Sequence, residues 1–267
     1  MEELQQIAIK AALQAGQVIM EVYDSDIEVE YKNDKSPLTE ADNKANEVIN
    51  LYLKKTEIPI ISEENRQIHY NIRKKWSLCW IIDPVDGTKE FIKRNGEFTV
   101  NIALVENGKP KVGVIYVPEK KELYFGNTHE KKAYKAYLKE HEDSLRDIIS
   151  NAVQLNPKFN SSGAIRIVGS RSHMNDETAQ FVEDLKQKYS NVKIVSKGSS
   201  LKFCLVAEGL ADIYPRFAPT MEWDTAAGQA ICEAVGLTVI NHETQQPLQY
   251  NKENLLNPWF MVSSDER

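Results

Sequence analysis

Residues 80–91 read WIIDPVDGTKEF and contain the features that decide the fold. The apolar run ends at Asp83, and Pro84 lacks a backbone donor, so we expect a strand whose ladder is blocked at this point. Gly87 permits a tight turn, and Thr88 can begin a helix. Two carboxylates and a helix N-terminus would then lie at one edge of a sheet. Carboxylates attract a hard cation and free helix amides attract an anion, so the pattern favours a site for magnesium and phosphate.

Asp83 and Asp86 alone leave a structural interpretation open, because Asp-Pro and Asp-Gly are common turn dipeptides. Two further acidic positions change the balance. Glu63 and Glu64 follow another predicted strand, and either side chain can turn inward. Asp224 lies at the start of a helix of small residues, where it would otherwise be interpreted as a cap or a first-turn charge. Three such positions together favour a composite metal site.

Hydrophobic periodicity predicts the surrounding architecture. Residues 4–22 have apolar side chains at helical spacing, and a second helix should begin near Thr39, because Thr39 and Asp42 can satisfy free amides at a helix start. Further helices are predicted at 176–189, 199–208 and 222–235. Strands are predicted at 27–31, 58–61, 78–82, 98–105, 112–117, 123–125, 165–168, 192–195, 212–214, 237–240 and 259–262. The alternation of strands and helices predicts a layered α/β (α+β) fold.

The domain organisation follows from the same pattern. We expect two packed halves, residues 1–150 with most of the acidic candidates and residues 151–267 with Asp224. The lysine-rich stretch 130–142 is predicted to be a solvated connector.

Composition excludes several classes of protein. The 267 residues carry a net charge of −6, which argues against a broad surface for nucleic-acid polymers. No run approaches the roughly 18 apolar residues of a membrane span, and the acidic, amphipathic start is unlike a signal peptide. We therefore expect a cytoplasmic protein, with loose association with the inner membrane left open. Cys79, Cys204 and Cys232 are widely spaced in apolar stretches and are predicted to be small core residues.

Four strings occur in an order and spacing that resemble a known family: LTEAD at 38–42, ISEE at 61–64, DPVDGT at 83–88 and WDTAAG at 223–228. They are similar to the motifs of the inositol monophosphatase superfamily of lithium-sensitive, magnesium-dependent phosphatases. The resemblance implies the layered αβαβα sugar-phosphatase fold and inhibition by lithium. It also implies two Mg²⁺ ions per site, with a third left open.

The resemblance assigns roles to individual residues. One ion would be held by Glu63, Asp83 and the Val85 carbonyl, and the other by Asp83, Asp86 and Asp224. Asp42, Thr88 and Glu63 are the expected catalytic residues, with Asp42 and Thr88 positioning the attacking water. Two-metal sites of this kind act by in-line displacement, and no phosphoenzyme is required.

Three other strings distinguish a branch of the superfamily: DGTKEFI at 86–92, GSSLKFC at 198–204 and YPRFAPTMEWD at 214–224. They resemble the 3′(2′),5′-bisphosphate nucleotidases of the bacterial CysQ type. This resemblance implies hydrolysis of adenosine 3′,5′-bisphosphate to AMP and phosphate in sulfur metabolism. Hydrolysis of the corresponding 5′-phosphosulfate is left open.

The substrate of this branch has a second phosphate, which needs its own donors. Lys202 follows Ser199 by one helical turn, and Arg216 offers a planar fork to phosphate or ribose, although either cation can also be an ordinary solvated side chain. We predict that Ser199, Lys202 and Arg216 contact the substrate, together with four residues of the metal motifs: Asp86, Gly87, Thr88 and Asp224. His173 is predicted to lie in a loop or at the substrate rim.

Alternative functions remain open at this point. Inositol monophosphatase activity predicts little gain from a second phosphate on the substrate. A regulator that binds magnesium and nucleotide without turnover, or a structural protein with an acidic surface, would show no phosphate release. The expected ligand is a small nucleotide bisphosphate, and formation of a homodimer is left open.

Overall fold

The computed structural model describes residues 1–25, 29–31, 37–139, 144–158, 163–169 and 175–264. Within these residues the α-helices are α1 (Glu2–Tyr23), α2 (Glu40–Leu53), α3 (Tyr70–Arg73), α4 (Thr88–Ile92), α5 (Leu145–Asn151), α6 (Asp176–Lys188), α7 (Leu201–Ala207) and α8 (Glu222–Ala234). The strands are β1 (Val29–Tyr31), β2 (Pro37–Thr39), β3 (Ile60–Ser62), β4 (Leu78–Asp86), β5 (Thr99–Glu106), β6 (Lys109–Val117), β7 (Glu122–Asn127), β8 (Lys132–Tyr137), β9 (Val153–Gln154), β10 (Ala164–Gly169), β11 (Asn191–Ser196), β12 (Tyr214–Arg216), β13 (Leu237–Asn241) and β14 (Phe260–Ser264).

A seven-stranded sheet in the order β3-β4-β5-β6-β7-β8-β9 forms the centre of the molecule. β3 and β4 are parallel, and the other neighbours are antiparallel. Successive side chains of a strand point to opposite faces, so β4 contributes to two cores. Trp80 and Ile82 pack with α1 and α2 on one face, whereas Cys79 and Ile81 pack with α7 and α8 on the other. Because both faces are covered, β4 has the near-continuous apolar sequence of a buried strand.

Helix α8 lies directly against this sheet because of a glycine in β6. A Cβ atom at Gly113 would lie 2.2 Å from the backbone oxygen of Ala227 in α8. The close approach fixes the height of α8 above the sheet and, with it, the position of the residues at its N-terminus.

Smaller sheets complete the layers. β12, β14 and β13 form a three-stranded antiparallel sheet on the far side of α7 and α8, and β10 pairs with β11 in parallel next to α6. The layers therefore run from α1 and α2 through the large sheet, α7 and α8, and the smaller strands to α6. The predicted layered α/β architecture is confirmed.

Most predicted elements are confirmed within a few residues, and two details are corrected. Pro84 interrupts the ladder of β4 but does not end the strand: pairing with β5 shifts register between Asp83 and Asp86 and then resumes. α7 begins at Leu201, so Ser199 lies outside the helix, in a left-handed conformation with φ of 43°.

The prediction of a solvated connector over residues 130–142 was wrong for residues 132–137, and residues 140–142 lie outside the described residues. Residues 132–137 form β8 within the large sheet, and Ala133 and Ala136 are buried. The prediction treated every lysine of this stretch as solvated. Lys135 is instead buried and forms ion pairs with Glu208 at 3.1 Å and Glu122 at 3.4 Å.

Other expectations concern single residues. The three cysteines are buried free thiols, as predicted. Of the predicted first strand, Ile27 lies outside the described residues, as does His173. Among the helices of the described ranges, none is both long and apolar enough to cross a membrane.

Candidate metal and phosphate site

The end of β4 brings the first two carboxylates to the edge of the sheet. Asp83 is 1% exposed, and its Oδ1 accepts a hydrogen bond from the Val85 backbone N–H at 3.1 Å. The register shift that follows Pro84 restarts the ladder at Asp86, whose side chain remains partly exposed. Gly87 then adopts φ of 95°, which turns the chain into α4 at Thr88. The backbone irregularity therefore lets two acids three residues apart face one space.

The third carboxylate comes from the start of α8. Asp224 accepts a hydrogen bond at Oδ2 from the Met221 N–H at 2.8 Å, which caps the helix and fixes the side chain. One carboxylate oxygen from each of Asp83, Asp86 and Asp224 lies within 4.8 Å of the others. Strand and helix thus assemble a cluster that the sequence separates by more than 130 residues.

The electrostatics of this cluster favour a cation. Burial, followed by the charges of Glu63 and Asp86, raises the pKa of Asp83 well above its usual range. Desolvation and the neighbouring Asp86 raise the pKa of Asp224 to about 8. Like charges held in a desolvated space resist ionisation unless a counter-charge is present. A divalent cation would supply this charge.

The cluster opens into an acidic cavity of about 400 Å³. Among the described residues that line it, five are carboxylates (Glu63, Asp83, Asp86, Glu90 and Asp224) and one, Lys89, is a cation. Glu63 lines this acidic cavity, whereas Glu64 is not among the lining residues. All-oxygen, carboxylate-rich donor sets suit the hard cations Mg²⁺, Ca²⁺ and Mn²⁺, so the chemistry of the residues fits magnesium.

Asp42 and Thr88 meet beside the cavity. Asp42 is buried, and its Oδ2 accepts hydrogen bonds from both the N–H and the hydroxyl of Thr39 at 2.7 Å. The Thr88 hydroxyl lies 3.3 Å from Asp42 Oδ1 and 3.3 Å from the Val85 carbonyl oxygen, and its single hydrogen can be donated to either acceptor. The Thr39–Asp42 capping box therefore also fixes a hydroxyl that lines the acidic cavity.

A second cavity of about 120 Å³ adjoins the first, and both are lined by Asp86, Gly87, Glu90, Thr220 and Asp224. We call it the cationic cavity because the two charged residues that it does not share with the first, Lys202 and Arg216, are both cations. Seven of the described residues line the second cavity and not the first: Gly198, Ser199, Lys202, Phe203, Tyr214, Arg216 and Thr225. Burial lowers the pKa of Lys202 to about 8. Ser199 Oγ and Arg216 Nε are buried polar atoms that have no hydrogen-bond partner within the described part of the chain, and such atoms are unusual in a folded protein.

The backbone at Ser199 is held in an unfavourable conformation by its neighbours. Its φ of 43° is rare for a residue with a side chain. Glu97, 5% exposed, accepts hydrogen bonds from the Gly198 N–H at 2.8 Å and from Lys197 Nζ at 3.1 Å. A Cβ atom at Gly198 would lie 3.0 Å from the Glu97 carbonyl oxygen, so the turn also requires glycine. Strain of this kind persists where the surroundings determine it, commonly at ligand sites.

The structure thus brings the residues proposed from sequence into one region, and it adds some that the sequence did not single out. Asn101 lies among the apolar residues of β5, and a single polar residue in an apolar strand is only a weak sequence signal for a functional site. Ser200 belongs to a quoted motif but had no role. Glu97 gave no signal, because its partners are 100 residues distant in the chain.

Comparison with known proteins agrees with this geometry. The sequence pattern of the inositol monophosphatase family matches residues 1–260. The chain therefore belongs to the inositol monophosphatase family, and its acidic cluster is of the kind expected in a family that is generally Mg²⁺-dependent.

The relatives narrow the comparison. The chain is 45% identical to the 3′(2′),5′-bisphosphate nucleotidase CysQ of Salmonella typhimurium strain LT2 over 258 residues, which is 94% of this chain and 96% of that protein. Identity to the enzyme of the same name from Escherichia coli strain K12 is 44% over the same shares of the two chains. The crystal structure of CysQ from Bacteroides thetaiotaomicron superposes with a TM-score of 0.88 at 49% identity, covering 99% of this chain and 98% of that one.

Proposed function

We propose that this chain is a magnesium-dependent phosphomonoesterase that removes the 3′-phosphate from adenosine 3′,5′-bisphosphate, giving AMP and phosphate. The observation that carries the proposal is the pair of adjoining cavities, one acidic and one cationic. A substrate with two phosphates matches this pair: the scissile phosphate at the carboxylates and the remote phosphate at Lys202 and Arg216. The relatives to which the chain is similar are named 3′(2′),5′-bisphosphate nucleotidases, which agrees with a bisphosphate substrate. The 5′-phosphosulfate of the same nucleotide would present comparable anionic oxygens to the cationic cavity.

The acidic cavity provides the metal ligands in this proposal. Glu63, Asp83 and the Val85 carbonyl would hold one Mg²⁺ ion, and Asp83, Asp86 and Asp224 a second. When bound, magnesium supplies the positive charge that phosphoryl transfer requires and lowers the pKa of water.

Thr88 and Asp42 orient the nucleophile. The Thr88 hydroxyl has one hydrogen, which it donates to Asp42 or to the Val85 carbonyl at 3.3 Å. Its oxygen lone pairs then accept a hydrogen bond from a water molecule and hold it for in-line attack. Because Thr39 fixes Asp42 in turn, the water is positioned before the substrate binds, which reduces the entropy lost in reaching the transition state.

The cationic cavity gives the specificity. Lys202 Nζ already donates to the Ser199 carbonyl, so the ammonium is held at the cavity wall. Ser199 Oγ and Arg216 Nε lack a partner among the described residues and can complete the coordination of a phosphate, whereas a ligand without this phosphate leaves them unsatisfied. The proposal retains the division at residue 150: the first half supplies most of the carboxylates, and the second supplies Asp224 and the cations.

The test is phosphate release with Mg²⁺ from adenosine 3′,5′-bisphosphate, adenosine 3′-monophosphate, AMP and inositol 1-phosphate at matched concentrations. We expect kcat/KM for the bisphosphate to exceed that for the 3′-monophosphate by about 30- to 1000-fold, which corresponds to about 2–4 kcal/mol for a buried charged contact. AMP should be a product and not a substrate. Equal rates on the two 3′-phosphates, or preference for inositol 1-phosphate, would overturn the substrate assignment.

A variant separates the two cavities. Lys202→Met should lower kcat/KM for the bisphosphate by about 30-fold or more and leave that for the 3′-monophosphate nearly unchanged. Lys44→Met, which removes an exposed lysine of α2, is the matched control and should change neither. Equal losses on both substrates would show that Lys202 supports the fold and does not recognise the remote phosphate.

A further inference from the structure

Ser200 lies at the point where the two cavities meet. It is 1% exposed, immediately precedes α7, and stands between Ser199 and Lys202 of the cationic cavity. Its hydroxyl is directed the other way, toward the acidic cluster. Ser200 Oγ lies 2.7 Å from Asp86 Oδ2 and 3.0 Å from the backbone carbonyl oxygen of Asp224.

A second buried side chain fixes the direction of this hydroxyl. Asn101 Nδ2 donates to Ser200 Oγ at 2.8 Å and lies 3.4 Å from Asp86 Oδ2. The amide cannot turn over freely, because its Oδ1 accepts a hydrogen bond from the Thr99 hydroxyl at 3.1 Å. Since the Ser200 oxygen accepts from Asn101, its own hydrogen is available for Asp86. A carboxylate is a stronger acceptor than a backbone carbonyl, and the bond to it is the shorter of the two.

We propose that Ser200 is a positioning residue for metal ligation by Asp86, with Asn101 as its support. The inference rests on the metal site of the proposed function and goes beyond it, since it assigns a role to residues that do not line the acidic cavity. The hydrogen bonds from Ser200 and Asn101 hold one oxygen of Asp86 and so fix the plane of its carboxylate relative to Asp83 and Asp224. Outer partners of this kind commonly change metal affinity by about 10- to 100-fold when they are removed.

The experiment measures Mg²⁺ binding directly, by calorimetry without substrate, alongside the melting temperature of the metal-free chain. Ser200→Ala should raise the Kd for Mg²⁺ by about 10- to 100-fold while the metal-free protein remains folded. At limiting Mg²⁺ its kcat should fall, and added Mg²⁺ should restore it with little change in KM. Ser263→Ala is the matched control, because Ser263 is buried in β14 on the small sheet, and it should leave the Kd unchanged.

An isosteric pair isolates the hydroxyl. Ser200→Thr retains the donor and Ser200→Val does not, although both add the same bulk at a buried position. We expect the threonine variant to bind Mg²⁺ at least 10-fold more tightly than the valine variant. If neither folds, Asn101→Ala tests the same bonds and should raise the Kd by about 10-fold.

The outcomes separate this inference from the proposed function. Equal Mg²⁺ affinity of the threonine and valine variants, or of wild type and Ser200→Ala, would overturn the positioning role and leave the proposed metal site intact. A wild-type chain that binds no Mg²⁺ would overturn both. A fall in metal-free melting temperature with an unchanged Kd would show that Ser200 is structural only.

Discussion

Replacement of Asp83 by asparagine should stabilise the metal-free protein and, at the same time, abolish its activity. Asp83 is buried, and oxygens of Asp86 and Asp224 lie within 4.8 Å of it and of each other. At an effective dielectric constant of about 20, two full charges at that separation repel by about 3.5 kcal/mol. Burial, and after it the neighbouring carboxylates, raises the pKa values of Asp83 and Asp224, so proton uptake relieves part of this repulsion. Asparagine retains the shape and still accepts the Val85 N–H.

We therefore expect Asp83→Asn to gain about 1–3 kcal/mol without metal at pH 8, or about 2–10 °C in melting temperature for a chain of this size. The sign follows from proton linkage: a carboxyl whose pKa is raised on folding binds more protons in the folded state, so wild-type stability falls as the pH rises above about 4. The difference between variant and wild type should accordingly be largest near pH 8 and should close toward pH 4.

Magnesium should cancel or reverse this difference in stability. Saturation at 100 times the Kd stabilises a folded protein by about 2.7 kcal/mol, and wild type should show this gain whereas Asp83→Asn should show little of it. The assay is thermal unfolding at several pH values with and without Mg²⁺, beside phosphate release.

Asp212→Asn is the matched control for Asp83→Asn. Asp212 is equally buried but is paired with Arg166 at 3.0 Å, so its neutralisation should destabilise the chain at every pH near neutrality. A metal-free Asp83→Asn protein that is less stable than wild type at pH 8, or that Mg²⁺ stabilises as much as wild type, would refute the reasoning.

Three further predictions concern single residues of the site and the core. The ratio of kcat/KM for the bisphosphate to that for the 3′-monophosphate should fall about tenfold per pH unit above pH 8, because the Lys202 ammonium has a pKa of about 8 and loses its proton. The fall should stop at the ratio shown by Lys202→Met, and a flat ratio from pH 7 to 9.5 would count against the assignment of Lys202. Gly87→Ala should cost about 1–3 kcal/mol in urea unfolding and lower kcat/KM, because φ is 95° and the new Cβ would lie 3.1 Å from the Glu97 carbonyl; unchanged stability would show that the turn tolerates a side chain. Gly113→Ala should cost about 3 kcal/mol or more, since α8 must move off the sheet. Gly169→Ala, where the Cβ would meet no atom of the described residues within 4 Å, should be nearly neutral, and equal effects of the two changes would contradict the packing argument.

Local signals were sufficient for much of this fold. The helical periodicity of residues 4–22 and the Thr39 start signal each correspond to a helix, α1 and α2, because both features act within one or two turns. The carboxylates of Asp83 and Asp86 were identifiable because strand, proline and glycine succeed one another within six residues. Where structure depends on neighbours in the chain, the sequence predicts it well.

Contacts between residues that are distant in the sequence limited what could be predicted. Lys135 looked like a surface charge, yet Glu122 and Glu208 pair with it inside the protein, and the pairing depends on β7 and α7 being in place. Ser199 was expected in a helix, and its left-handed conformation depends on Glu97, which is distant in sequence. Local propensities contain no information about either of these contacts, so they could not be predicted from the sequence pattern. The cationic cavity was therefore anticipated in composition but not in shape.

The division of the site between chain segments also bears on how its specificity can change. The acidic cluster draws on β4 and the first turn of α8, whereas Ser199 and the two cations of the cationic cavity fall in two short stretches, 198–202 and 214–216. Substitutions at Ser199, Lys202 and Arg216 would change which phosphate esters the enzyme accepts, while the metal-binding carboxylates remain unchanged. A combinatorial library at these three positions, selected on alternative phosphate esters, would thus explore new substrates on a constant hydrolytic core. Gene duplication followed by drift in the same two stretches offers lineages the same route to divergence.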